Sequence, residues 1–378
     1  MGQPEMFDVA IVGAGIAGAS LAYRLAGQRS VILLEREPQP GYHSTGRSAA
    51  MFIESYGPPA VRALTRASRH FFTHLPPDFS ATAVLSARGA MTLASPGQEE
   101  ALARHQGLLA ATGSAQERLD ARQATRLVAC LRPECIIGAL LDHGAMDIDV
   151  HALHQGFLRG LRQAGGVLRT GAEVKSTQRR NTGWELQVTN GDPVSAQVVI
   201  NAAGAWADQV GSLFNARGIG LVPHRRSAFT FKPPPGMEVT HWPMVSSLDE
   251  TFYFKPDAGV LLGSPANADP TVPHDVVPEE LDVATGIHHI EAATTLTIPR
   301  PLRTWAGLRS FVPDGEMVIG WDDHCEGFFW LAGQGGYGIQ SAPGASELAA
   351  SLVLGLPLPD ELARHGVDAG ALSPRRPR

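Results

Sequence analysis

The chain has 378 residues, with 31 Lys and Arg against 37 Asp and Glu, for a formal net charge of −6. That length predicts two domains, or one domain with a large insertion, and 44% hydrophobic with 18% charged residues is the balance of an ordinary globular protein. The acidic balance argues against a nucleic-acid partner, and the one basic run, the terminal PRRPR, reads as a frayed end.

Residues 7–12 form an apolar, β-branched run that reads as a buried strand, and a helix follows to Leu25. Between them Gly13, Gly15 and Gly18 keep G-x-G-x-x-G spacing. Gly13 permits a tight turn, Gly15 lets the backbone approach a pyrophosphate, and Gly18 lets helix and strand pack closely. The helix start, at Ile16 and Ala17, offers unpaired N–H groups to an anion. A second strand ends at Glu35, 17 residues after Gly18, where an acid is expected to meet ribose hydroxyls, with Arg36 beside it. An adenine dinucleotide is therefore expected here. Residues 9–27 lack the basic lead of a signal peptide, and no other run is long and apolar enough for a membrane helix.

After Pro38, Pro40 and Gly41 comes a polar loop, Ser44, Thr45, Gly46, Arg47 and Ser48, ahead of an expected short helix. It is either an ordinary capped turn or a contact to phosphate or flavin ring. Residues 59–75 read as a helix, 83–94 as a strand, and 97–112 and 119–131 as helices, all assigned to a second domain. Residues 135–141 read as a strand. Asp149 caps the next helix, in which His151 and His154 read as packing or surface residues. Strands follow at 166–174, 184–188 and 196–203, the last entering Ala203, Gly204 and Trp206 as a second glycine turn. Residues 221–313 are β-rich, interrupted by a helix at 278–295. A third apolar strand from Phe328 enters Gly335, Gly336 and Gly338 and a helix to Val353, whose N-terminus would aim a positive dipole at something electron-rich. Three cysteines, Cys130, Cys135 and Cys325, show no metal or disulfide spacing, so no metal and a reducing cytoplasm are expected.

The blocks GYHSTGRSAA, NAAGAW, WAGLRSF and GQGGYGIQ, with HALHQGFLRG, RRSAF and KPDAG among them, resemble the D-amino acid oxidase superfamily over almost the whole chain. The likeness is closest to its D-arginine dehydrogenase branch. It implies an α/β fold with a Rossmann-like FAD-binding domain built from discontinuous segments (1–55, 135–220 and 314–378). An α+β substrate domain (56–134 and 221–313) with a twisted, mostly antiparallel sheet would complete it. The cofactor implied is FAD, bound non-covalently: sarcosine-type relatives attach flavin to a cysteine in the segment equivalent to WAGLRSF, which has none here. The resemblance adds Ala49, Ala50, Val174, Tyr337, Ile339 and Gln340 to the cofactor contacts.

The reaction implied is oxidation of a D-amino acid by hydride transfer from Cα to flavin N5, the imino acid then hydrolysing to a 2-oxo acid and ammonia. By resemblance Arg226 and Arg309 clamp the α-carboxylate, a task suited to the planar guanidinium fork, and Tyr253 and Tyr56 line the same site. Met51, Ile53, Ala90, Met244, Ser246, Gly336 and Gln340 match the substrate pocket. The D-arginine branch has a glutamate at the position of Ala90, a histidine at Met51 and a threonine at Ile53. These departures predict apolar D-amino acids over D-arginine. Rival readings on the same frame are a secondary-amine, glycine or 2-hydroxy-acid oxidoreductase; a redox-sensing FAD module is the non-enzymatic one. No motif specifies the electron acceptor, whether oxygen, a quinone or another, and no residue stands out as an obligatory general base.

Overall fold

A computed structural model describes residues 5–377. The first sheet has eight strands, built around the central strand Glu5–Val12, which lies parallel between Val194–Asn201 and Val31–Leu34. Val194–Asn201 forks: its first half pairs antiparallel with Gly183–Val188, its second half parallel with Phe328–Ala332. The near-continuous apolar runs follow from burial on both faces. Val9 and Ile11 face helices Ile16–Leu25, Pro59–Thr73, Val150–Gln163 and Gly338–Leu354, whereas Ala10 and Val12 face Ala207, Phe214 and Trp330.

The second sheet has nine strands, and among them only Met244–Ser247 with Ala90–Ala94 pairs in parallel. Its spine is the long antiparallel pair Val222–Phe231 and Arg303–Phe311. A small third sheet, Met51–Phe52, Met146–Ile148 and Leu85–Ala87, lies between the other two along the chain. The α/β class, the discontinuous first layer and the mostly antiparallel second sheet are as the sequence predicts.

The segment boundaries differ. Helix Pro59–Thr73, expected in the substrate domain, packs in the core of the first layer with Gly338–Leu354. Strand Gly138–Asp142, expected in the FAD domain, is a member of the second sheet. The expected strand at 83–94 breaks at Gly89, in the left-handed region at φ +78°, so that its two halves join different sheets. The helix expected at 119–131 spans only Ala121–Leu127, behind strand Gln116–Leu119 and a reciprocal Asp120–Gln123 cap. The 44–48 loop leads directly into strand Met51–Phe52 rather than into the expected short helix. The tail is tied down as far as Arg376, which donates to Asp314 at 2.7 and 3.0 Å. Among the described residues no helix is long and apolar enough to cross a membrane, and no metal-ligating cluster forms.

Candidate active site

The glycine turn is shaped by contacts rather than by tolerance. At Gly13 φ is +103°, and a Cβ there would lie 2.5 Å from the Ala202 carbonyl oxygen. A Cβ on Gly18 would lie 1.9 Å from the Gly13 oxygen. Gly18 thus serves packing alone and faces no cavity. The helix behind the turn has no side-chain cap, and only the Ile16 N–H is answered nearby, by Thr45 Oγ1 at 3.0 Å. His154 is buried and its Nε2 lies 2.9 Å from the Ala14 carbonyl. Burial pushes its imidazole below the ordinary histidine range, so it supports the turn as a neutral ring.

A cavity of about 460 Å³ opens at the carboxyl ends of Glu5–Val12, Val31–Leu34 and Val194–Asn201. It is lined by Gly13, Gly15, Ile16, Ala17, Glu35, Arg36, Ser44, Thr45, Arg47, Ser48 and Ala49. Val174, Ala203, Gly204, Trp206, Gly335, Gly336, Gly338 and Ile339 complete it from later in the chain. The Glu35 carboxylate already accepts N–H bonds from Ala14 (2.8 Å) and Glu37 (3.0 Å), so it orders the loop as well as facing the cavity. Ser44 donates to the Leu308 carbonyl and Arg47 to Val276, Ala306 and Asp275, so both tie the cavity loop to the second sheet. The Arg36 guanidinium sits 4.0 Å from the Trp206 ring centroid.

A second cavity, about 470 Å³, adjoins the first. Ser48, Ala49, Arg226, Tyr253, Arg309, Gly336 and Ile339 line both, and so mark where the contents of the two would meet. Met51, Ile53, Tyr56, Ala90, Met244, Ser246 and Gln340 line the second alone, as do Ala50 and Tyr337, which were expected at the cofactor. Met51, Ala90 and Ala145 form an apolar cluster with Ile53 and Met244. Gln340 is 3% exposed and spends its amide on the chain: Oε1 accepts from Ile53 N, and Nε2 donates to Thr65 Oγ1 at 3.2 Å. It anchors the loop that carries Tyr56.

Arg226 and Arg309 stand on the paired strands of the second sheet, with Arg226 opposite Gly307 and Arg309 opposite His224. The two-residue offset puts both side chains on one face. Arg226 Nε donates to the Asn267 carbonyl, and Arg309 Nη1 to Tyr56 Oη at 2.9 Å. Among the described residues neither has an acidic partner. Burial, and then the charge of Arg309, push Arg226 down; burial also opposes the Arg309 charge, but Tyr56 and Tyr253 outweigh it. Two half-buried guanidiniums with no counter-ion form a ready site for a carboxylate. Gly336 lies close beside them: a Cβ there would come 2.8 Å from Arg309 Nη1 and push the guanidinium aside.

Sequence reasoning missed Arg62, Thr92, His105, Leu108, Asp142, Glu250 and Phe252 in the second cavity. Thr92 was within reach, two residues past Ala90 on the same strand face. The others depend on how distant elements converge.

A cavity fit for a dinucleotide, behind a glycine turn, thus shares one wall with a second cavity that carries two arginines without acidic partners. The chain belongs to the DAO family of FAD dependent oxidoreductases, whose pattern matches residues 8–352. It is 25% identical to glycine oxidase of Geobacillus kaustophilus, over 92% of this chain and 93% of that one. It is also 25% identical to mitochondrial dimethylglycine dehydrogenase of Rattus norvegicus, over 93% of this chain. The chain spans only 44% of that relative's length. In fold it matches the crystal structure of the Geobacillus glycine oxidase with a TM-score of 0.85 at 22% identity, covering 99% of this chain and all of that one. The FAD-bound L-alpha-glycerophosphate oxidase of Mycoplasma pneumoniae matches with a TM-score of 0.83 at 19% identity, over 93% of this chain and 95% of that one. The family pattern establishes the family and FAD, and nothing in these likenesses places the chain in the D-arginine branch.

The residues fit FAD: Gly13 and Gly18 admit no Cβ, the helix after Gly15 has no side-chain N-cap, and polar loop groups line the cavity. None of the three cysteines lines it, and Cys325 Sγ faces the Phe214 carbonyl at 3.3 Å. Denaturation is therefore expected to release all of the flavin into the supernatant. Yellow colour remaining on precipitated chain would contradict a non-covalent site.

Proposed function

We propose that the chain oxidises the Cα–N bond of apolar D-amino acids. The observation that carries this reading is the shared wall, where Arg226 and Arg309 stand without acidic partners at the junction of the two cavities. The D hand rests on the resemblance carried by the blocks quoted above from this sequence. The side-chain preference rests on Met51, Ile53, Ala90 and Met244, which present apolar surface. A cavity of about 470 Å³ also offers far more room than glycine fills, which favours a substrate with a side chain.

Bound FAD supplies the two-electron acceptor for hydride. The arginine pair fixes the substrate's carboxylate, and with it the direction of the Cα–H bond. Tyr56, held by Arg309, keeps that fork in place, and Tyr253 adds a hydroxyl at the same wall. The substrate amine must be neutral for its lone pair to assist hydride departure, so kcat/KM is expected to rise with pH. Tyr337, pushed up to about 12 by burial, and His105, pushed down by burial, do not produce such a rise through the alkaline range. A flat profile between about pH 6 and 10 would contradict this step.

The specificity test is direct. D-Leucine or D-methionine is expected to exceed D-arginine in kcat/KM by about thirtyfold or more, the cost of a buried charge without its partner. Ala90→Glu is expected to narrow that ratio by about tenfold or more. A wild-type preference for D-arginine would overturn the reading of Ala90. Glycine or an N-methylated glycine is the second reading, favoured by the likeness to glycine oxidase and dimethylglycine dehydrogenase, and would show as flavin reduction by those compounds in preference to larger amino acids.

A further inference from the structure

We infer that Arg62 forms a second anion subsite in the substrate cavity, suited to a terminal carboxylate at the far end of a substrate side chain. This rests on the α-carboxylate clamp of the proposed function and narrows its side-chain reading, from wholly apolar to an apolar stem that ends in an anion. Arg62 is the fourth residue of helix Pro59–Thr73, in the first turn, where the helix field disfavours a cation. The turn's N–H groups are already served by a carboxylate, since Glu316 accepts from Ala60 at 2.9 Å and Val61 at 3.1 Å. The arginine is thus placed against local preference, and such departures concentrate at functional sites.

Its side chain is half-buried and lines the cavity that holds Arg226 and Arg309. Among the described residues it has one side-chain hydrogen bond, Nη1 to the Gly57 carbonyl at 3.0 Å, and no carboxylate within ion-pair range. Arg66, one turn on, donates only to the His365 carbonyl among the described residues, but most partly buried arginines elsewhere are answered by acids: Arg47 by Asp275, Arg88 by Asp147 and Arg225 by Asp282. The three that line the substrate cavity are not.

The surroundings add positive charge. Behind Met51, Lys255 and Arg88 share a single carboxylate, Asp147, and Lys255 Nζ lies 3.9 Å from Met51 Sδ. Of the two acids lining the cavity, Asp142 holds Ser114 and the Gly144 N–H, and Glu250 is exposed. An α-carboxylate on Arg226 and Arg309 leaves Arg62 with a free face of its fork, the geometry a second carboxylate uses. The subsite would take an apolar stem with an anionic end.

The test uses the FAD-loaded enzyme and unreactive ligands: α,ω-dicarboxylates of roughly four to eight carbons against monocarboxylates of equal length, followed by perturbation of the flavin spectrum. At least one dicarboxylate is expected to bind about tenfold more tightly than its monocarboxylate partner, an advantage that R62M removes. Should R62M not retain flavin, R62Q, which keeps a donor for Gly57, is expected to show the same loss. Equal affinities at every length, or an advantage that survives the substitution, would overturn the subsite while leaving the amino acid reading intact. A protein that binds neither ligand type would overturn both.

Discussion

Replacing Arg309 by methionine is expected to lower kcat/KM for the best amino acid by between about thirtyfold and a few thousandfold, with FAD retained. The range corresponds to about 2–5 kcal/mol for truncating one partner of a desolvated charge pair. The large effect follows from the absence of substitutes: no lysine or acid-paired arginine lines the shared wall, so Arg226 alone would face the carboxylate. Arg309→Lys is expected to recover little, because an ammonium lacks the two parallel donors that orient a carboxylate. Tyr56→Phe removes only the 2.9 Å bond to Arg309 and should cost far less, about tenfold. Rapid mixing under anaerobic conditions measures all three. A loss below about fivefold for the methionine variant would mean that the substrate's carboxylate lies elsewhere.

Gly13→Ala is expected to yield a chain that no longer holds FAD. The added Cβ would lie 2.5 Å from the Ala202 oxygen in a backbone at φ +103°. Left-handed strain of roughly 1–2 kcal/mol and overpacking of about 1–3 kcal/mol act together. The neighbour is main chain of the adjoining strand, so neither partner can swing away. Relief requires the turn to open, which displaces the N–H groups that face the cavity. FAD affinity should fall by about a hundredfold or more, read from flavin fluorescence on dilution. A variant with unchanged thermal midpoint and unchanged affinity would contradict this account of the turn.

The glycine turn was legible because its causes are local: strand, three glycines, helix and acid lie within 35 residues. The arginine clamp was legible only through resemblance, since nothing about a lone arginine in a β-rich segment announces that its acid partner is missing. That property emerges when Val222–Phe231 and Arg303–Phe311 pair across some 80 residues of chain. Helix Pro59–Thr73 was assigned to the wrong layer for a similar reason. Its apolar face shows that it packs, but its partner Gly338–Leu354 lies far along the chain. Arg62 went unremarked because its significance depends on Glu316 having already taken the first turn of its helix. Gln340 was placed at both substrate pocket and cofactor; it lines the second cavity, and its amide spans three separate groups of the Tyr56 loop and the helix behind it.

The central claim is that an amino acid carboxylate on Arg226 and Arg309 brings a Cα–H bond to the wall shared by the two cavities. The measurement that tests it most directly is anaerobic mixing of the FAD-loaded protein with D-leucine, D-methionine, D-arginine, L-leucine, glycine, sarcosine and lactate, watching the flavin absorbance. Rapid bleaching by the apolar D-amino acids, and little by the rest, is the predicted result. Bleaching by lactate alone, or by no amino acid at all, would contradict the account.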